Sequence, residues 1–280
     1  MLAFVTFLVL IKGCATQNEY SLVPPQYTWS PVPEQAHAAQ GTIEVDAEGT
    51  QLFYWDTEGP GQVVVFLHPF SGSALSWPYQ QPVFAQAGFR VIAYSRRGHY
   101  GSSSSSPTYT QSGVQDLLAV VDRLGVDKFH LVAIAAGADI APDFAVSYPD
   151  RLLSLIVGCT IGQTGDPAYR ASDEALLPPE FLALPTYLKE LSPSYRESNP
   201  DGLAAWREQA AISKSQRMKV PAQNVISPNA LRRIELPTLL FTGDADMYMP
   251  PSRLRAYASY WSNPQVVVFQ EAGHAPYWEQ

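Results

Sequence analysis

Phe129-His130-Leu131-Val132-Ala133-Ile134-Ala135-Ala136-Gly137 is the stretch on which the reading of this chain turns. Phe129–Ile134 is a short, mostly apolar run, the pattern of a strand buried on both faces of a sheet. From Ala135 to Tyr148 the pattern becomes helical, and it stops before Pro149, which cannot continue a helix. A strand that passes straight into a helix must fold its backbone tightly, and small side chains permit this. Ala133, Ala135, Ala136 and Gly137 meet that demand.

Outward from this stretch, strand-like and helix-like segments alternate. Thr42–Val45 and Leu52–Asp56 read as a hairpin turning near Glu48-Gly49. Val63–Leu67, Arg90–Tyr94, Leu153–Val157, Pro237–Phe241 and Val266–Phe269 read as further strands. Ser76–Ala87, Gln111–Leu124 and Ser252–Trp261 read as helices between them. The alternation implies right-handed crossovers. It predicts an α/β fold: a mostly parallel, twisted sheet with helices on both faces. Residues 164–227 break the rhythm with helical segments and prolines at Pro178-Pro179, Pro185 and Pro193. They are expected to form an inserted helical cap over the carboxyl ends of the strands, where such sheets bind ligands. The core then comprises 41–163 and 228–280. Residues 15–40, rich in Pro, Gln, Tyr and Ser, read as an extended linker or arm, and residues 1–14 as a leader.

Composition narrows the partners. The chain has 280 residues, 46% hydrophobic and 16% charged, with a formal net charge of −8. That suits one large domain with a real core, and it argues against nucleic acid and anionic membrane as main partners. The expected partner is a small-molecule substrate, and monomer and homodimer both fit. Leu2–Ile11 is an apolar run too short to span a bilayer, which takes roughly 20 residues. It fits the core of a signal peptide. Ile11-Lys12-Gly13-Cys14 resembles a lipoprotein cleavage box, which makes Cys14 the candidate point of a lipid anchor. No positive charge precedes the run, and Lys12 is unusual beside a cleavage site. Export (periplasmic, membrane-anchored or secreted) and a cytoplasmic location therefore both stay open. Cys14 and Cys159 are the two cysteines, with no CxxC or Cys/His cluster. Neither a disulfide, a structural zinc site nor any cofactor is expected. His37 and His130 do not fit metal ligation.

At this point a resemblance becomes specific. His68-Pro69-Phe70-Ser71-Gly72-Ser73 with Trp77 resembles the oxyanion loop of the α/β-hydrolase-fold superfamily. Ser95-Arg96-Arg97-Gly98-His99-Tyr100-Gly101-Ser102 resembles the loop after that family's next strand. Ala133-Ile134-Ala135-Ala136-Gly137 occupies the nucleophile elbow, usually G-x-S-x-G. Gly243-Asp244-Ala245-Asp246 resembles the acid turn, and Gly273-His274 the histidine loop. The order and spacing match from about Thr42 to the C-terminus. Six residues follow His274, where family members have a closing helix, and lack of that helix would expose apolar sheet surface.

The resemblance implies roles. His274 is the expected general base, oriented by Asp246, with Asp244 as a turn residue beside it. The main-chain N–H groups of Phe70 and Ala136 are the expected oxyanion hole. Substrate contacts are expected from His68, Ser71, Trp77, Cys159, Tyr169 and Phe181. Tyr187 is a further aromatic candidate for the pocket, and Arg96, Arg97 and His99 are expected to stitch loops together. Ala135, at the nucleophile position, carries nothing that can attack. No Ser, Cys or Asp lies between Phe129 and Ala138 to replace it. An engineered serine-to-alanine change and a natural member without the nucleophile both remain open. The implied function is hydrolysis of a small ester, thioester, lactone or activated C–C bond. The alternatives are a non-serine enzyme using the His–Asp base on water or a substrate proton, and an inactive ligand-binding relative.

Overall fold

The computed structural model describes residues 20–25, 28–29, 31–104, 111–160, 162, 164–213 and 221–280. The leader residues, including Leu2–Ile11 and Cys14, lie outside the described residues, and Cys159 is a free, buried thiol. The described strands form one sheet in the order β1-β9-β8-β7-β6-β4-β5-β3-β2. They are β1 (Tyr20–Val23), β2 (Ala39–Glu44), β3 (Gln51–Asp56), β4 (Val63–Leu67), β5 (Arg90–Tyr94), β6 (Phe129–Ile134), β7 (Leu152–Gly158), β8 (Thr238–Gly243) and β9 (Gln265–Phe269). All neighbours pair parallel except β2 with β3 and β3 with β5.

The central strand shows why two apolar layers form. Side chains alternate across a strand. Phe129, Leu131 and Ala133 face one buried cluster, and Val132 and Ile134 face the other. On the first face lie the helices Gly113–Arg123, Ile140–Ser147 and Pro251–Ala258, through Leu117, Phe144 and Leu254. On the second lie Gln80–Gln86, through Phe84, and the segment between β7 and β8, through Leu191, Tyr195 and Trp206. Ser112 caps its helix by accepting from the Gln115 N–H, while the Gln115 side chain accepts from the Ser112 N–H.

Several elements differ from the sequence expectation. The arm at 15–40 is not wholly an unpacked linker. β1 adds to the sheet edge, parallel to β9, with Tyr20 opposite Val266. An open edge presents unpaired N–H and C=O groups, and four residues of backbone are enough to take them up. Trp29 then packs edge-on against Tyr195 at 4.8 Å, and Ala36 exchanges hydrogen bonds of 2.9 and 2.8 Å with the Gln81 side chain. The helix expected from Ala135 begins only at Ile140, because the intervening residues form the turn itself. At the C-terminus, Pro276–Glu279 form a short helix that buries Tyr277 and Trp278 against the second cluster. Between β7 and β8 the described residues form six short helices, from Pro167–Leu176 to Pro228–Arg232.

One ion-pair cluster anchors the loop after β5. Arg97 is fully buried and bonds Asp116 (2.8 and 2.7 Å), Asp46 (2.8 Å) and Thr50 (2.8 Å). Removing one member of a buried pair leaves uncompensated charge in the interior. Arg97→Ala is therefore expected to lower the unfolding free energy by about 3–5 kcal/mol. Urea denaturation measures it, and a loss below ~1 kcal/mol would place this cluster with exposed pairs instead.

Candidate active site

Strands β4 to β9 run parallel, so their carboxyl ends share one edge of the sheet. Every expected site segment of the core follows one of those ends. His68–Ser73 follows β4, Ser95–His99 follows β5 and Ala135–Gly137 follows β6. Cys159 follows β7, Asp246 follows β8 and His274 follows β9.

Ala135 has a φ of 49°, in the left-handed region that alanine rarely adopts. A non-glycine residue held there costs roughly 1–3 kcal/mol, so the surroundings must enforce it. Its N–H donates to the Gly158 carbonyl at 2.9 Å, and the Gly137 N–H turns back to the Ile134 carbonyl at 2.8 Å. Gly137 presses against the neighbouring strand: a Cβ there would sit 2.5 Å from the Leu67 carbonyl oxygen and 2.8 Å from that of His68. Among the described residues, the Ala136 N–H has no hydrogen-bond partner. Phe70, on the facing loop, is exposed.

His274 is buried, and its Nδ1 lies 3.0 and 2.9 Å from the two carboxylate oxygens of Asp246. Asp246 is fixed in turn. Its Oδ1 accepts from the N–H groups of Tyr248 (2.8 Å) and Met249 (3.0 Å), and Thr242 Oγ1 lies 3.0 Å from Oδ2. Burial pushes the Asp246 carboxyl up, but His274 and those N–H groups outweigh it, and the group stays below its usual range. Burial pulls the His274 imidazole down, but Asp246, Glu190 and Glu279 outweigh it and hold it above its usual value. With Nδ1 turned to Asp246, Nε2 has no hydrogen-bond partner among the described residues. The Tyr248 ring lies over the imidazole at 4.5 Å.

The six expected substrate contacts divide. Ser71 stays at the site, where its Oγ donates to Glu190 Oε2 at 2.5 Å. Phe181 packs edge-on against Tyr248 at 5.0 Å, and so reaches the histidine through one ring. Cys159 is wholly buried behind Asp246 and His274. Burial first and the Asp246 charge second hold its thiol well above the usual value, so it stays protonated. The other three are corrected. His68 is fully buried with both ring nitrogens engaged: Nδ1 with the Pro69 carbonyl at 2.7 Å, Nε2 accepting from the Arg96 N–H at 2.9 Å. It braces two loops. Trp77 is core, stacked between Phe66 and Tyr277. Tyr169 is tied to Arg253, whose guanidinium lies 4.3 Å over its ring.

Two residues escaped the sequence reading. Glu190, the last residue of helix Thr186–Glu190, enters from the insert. Glu279 bridges the insert to the histidine loop: its Oε1 accepts from the Gly273 N–H (2.9 Å) and its Oε2 from the Ser192 N–H (3.0 Å). Neither acid carries a sequence signal, since a single glutamate in a helical stretch is ordinary. The ligand atoms of Cys159, Asp246 and His274 lie within 4.8 Å of one another, a donor set of zinc type. A metal there would have to displace the Nδ1–H bond to Asp246 and the thiol proton, which sets it against the His–Asp arrangement.

Comparison with known proteins gives the family of the fold. Residues 64–280 match the model of the alpha/beta hydrolase family. The chain belongs to that family and is an enzyme of the hydrolase fold. It is 27% identical over 244 residues to a Mycobacterium tuberculosis protein named as a non-heme bromoperoxidase, covering 81% of this chain and 92% of that one. It is 26% identical over 271 residues to a 2-hydroxy-6-oxononadienedioate/2-hydroxy-6-oxononatrienedioate hydrolase of Burkholderia vietnamiensis, covering 85% and 90%. Among solved structures, a thermophilic esterase from Thermogutta terrifontis superposes with a TM-score of 0.68 at 25% identity, covering 87% of this chain and 94% of that one.

The buried acids set a pH dependence. Burial pushes Glu279 up to about 7 against its two N–H donors. Between roughly pH 4.5 and 7 the folded chain holds a proton that the unfolded chain releases, so stability falls as pH rises through that window. Glu190, also raised, acts in the same direction. Asp46 and Asp246, both lowered, act oppositely: their contribution is lost as pH falls below about 4. The unfolding free energy, and the melting temperature with it, is expected to be greatest near pH 5 and to decline toward pH 8, the free energy by on the order of 3 kcal/mol for Glu279. Glu279→Gln is expected to flatten the decline, and an unchanged slope in thermal melts would contradict the assignment.

Proposed function

We propose that this chain hydrolyses a small ester, thioester, lactone or activated C–C bond, with water activated by the His274–Asp246 pair and Ala135 standing at the nucleophile position. The observation that carries this is the histidine itself. Its Nδ1 is held by a fixed carboxylate, and its Nε2 has no hydrogen-bond partner among the described residues. An imidazole so arranged accepts a proton at Nε2 while Asp246 stabilises the resulting cation. The strained turn at Ala135 offers the Ala136 N–H to a developing oxyanion, with the Phe70 N–H as its partner from the opposite loop. These donors are main chain, so an alanine at 135 leaves them intact. The insert between β7 and β8 serves as the cap in this reading, which its contacts with the histidine loop through Glu190 and Ser192 support. The names of the relatives, an esterase and a hydrolase among them, lie within this range of chemistry.

A second reading has serine as the ancestral or parental residue, with the present chain the same machine without its covalent step. The φ of 49° at Ala135 favours a turn built to present a side chain.

The test uses p-nitrophenyl butyrate. The unaltered protein is expected to turn over without a burst, with kcat/KM rising with pH through an ionisation above 6.5, because His274 is raised and must be neutral to act. Ala135→Ser is expected to add a burst of p-nitrophenol matching the enzyme concentration. His274→Ala is expected to lower kcat by about 100-fold or more. Full turnover by His274→Ala would refute the assignment of the base.

A further inference from the structure

Three adjacent strands end in a thiol, a carboxylate and an imidazole. Cys159 follows β7, Asp246 follows β8 and His274 follows β9, and these strands are neighbours in the sheet. The sulfur, a carboxylate oxygen and a ring nitrogen lie within 4.8 Å of one another, and all three side chains are buried. The Cys159 N–H donates to the Phe241 carbonyl at 2.9 Å, which pins the residue to the end of β8. Its thiol faces the Thr242 hydroxyl and the Asp246 carboxylate. His274 turns Nδ1 to the same carboxylate, at 3.0 and 2.9 Å. Sulfur and imidazole thus meet at one acid, from residues so far apart in sequence that no ligand motif announces them. In a tetrahedral zinc site, bonds of about 2.3 Å to sulfur and about 2.1 Å to nitrogen and oxygen put the nitrogen about 3.4 Å from the oxygen and about 3.6 Å from the sulfur. Asp246 and His274 have to part by about half an ångström to reach that geometry, and the sulfur has to close by about 1.2 Å at most.

Charge and ligand type select the occupant. A divalent ion with one carboxylate and one thiolate is neutral overall, so it leaves no uncompensated charge in the interior. Without an ion, burial and the Asp246 charge keep the thiol protonated, and an ion between the two groups cancels that charge. Calcium and magnesium take roughly six or more oxygen ligands, which these three residues do not supply. Thiolate and imidazole suit zinc. We propose that Cys159, Asp246 and His274 bind one thiophilic divalent cation of zinc type, and that this ion switches the base off. The site is inhibitory, neither structural nor a cofactor site. As the sulfur bonds the ion, the thiol proton leaves to solvent. As the Nδ1 lone pair bonds the ion, the single proton of the neutral ring passes from Nδ1 to Nε2. Nε2–H is a donor, so the imidazole no longer takes a proton from water. Binding of the ion stands without the general-base reading, and only the loss of turnover rests on it.

Zinc chloride is the probe, with cobalt(II) as its spectroscopic stand-in and magnesium as the control. The unaltered protein and Cys14→Ser are expected to bind cobalt with a thiolate-to-metal charge-transfer band, which zinc then removes. Cys159→Ser is expected to lose the band and to bind zinc about 100-fold or more weakly, since even an outlying hydrogen-bond partner of a ligand is worth roughly 10–100-fold. A band that survives in Cys159→Ser, or is lost in Cys14→Ser, overturns the site. The second readout needs no variant. In 15N-histidine NMR of the unaltered protein, the His274 ring proton is expected to move from Nδ1 to Nε2 in step with added zinc and to ignore magnesium. An Nδ1–H resonance that persists at zinc saturation overturns the proposal, as does the absence of any zinc-dependent change in both spectra. On p-nitrophenyl butyrate, turnover is expected to fall in proportion to the zinc bound, and undiminished turnover at saturation overturns the inhibition. If the zinc-free protein does not hydrolyse the ester, the general-base reading fails by itself, and the two spectra still decide the site.

Discussion

The close approach of Gly137 to the main chain of Leu67 and His68 is the constraint from which the site follows. It brings the end of β6 against the end of β4 with no side chain between them. Ala135 is driven into the left-handed region as a result, and the Ala136 N–H is turned away from any helix partner. The same pressure explains why this stretch is all alanine and glycine around Ile134. A larger residue at 137 would separate the strands and disband the donors together. Cys159 after β7 and Glu271 after β9 are also non-glycine residues at positive φ. Three of the four non-glycine residues at positive φ among the described residues thus lie along this edge, with Glu58 after β3 as the fourth, and the surrounding packing over-determines the backbone there.

Electrostatics at that edge follow from burial. Asp246, Glu190 and Glu279 all lie within influence of His274, and each is buried. Their acidities are pushed in different directions because their donors differ. Asp246 has two N–H donors and the imidazole, which keep it ionised. Glu190 has one hydroxyl, and Glu279 two N–H groups but no cation in contact.

Much of this was legible beforehand, for identifiable reasons. The inner strands are continuous apolar runs bounded by turn residues, so Phe129–Ile134 and Arg90–Tyr94 coincide with β6 and β5. His274 and Asp246 sit in short motifs whose geometry is local: a strand end plus a tight turn. β1 was not legible, because a four-residue strand running into two prolines has no pattern until an open edge accepts it. Glu190 and Glu279 were not legible because their roles arise from the packing of the insert on the histidine loop. His68, Trp77 and Tyr169 were placed near the right loops, but their side chains point into braces and core, which sequence spacing does not resolve.

In the proposed reaction water, and no side chain, attacks the substrate. Intact-protein mass spectrometry of acid-quenched steady-state reactions with p-nitrophenyl butyrate tests it most directly. Unmodified protein mass is expected at every time point while p-nitrophenol accumulates. An acyl adduct on the Ala135 protein, whether at Ser71 or elsewhere, that forms and decays at the rate of turnover would contradict it.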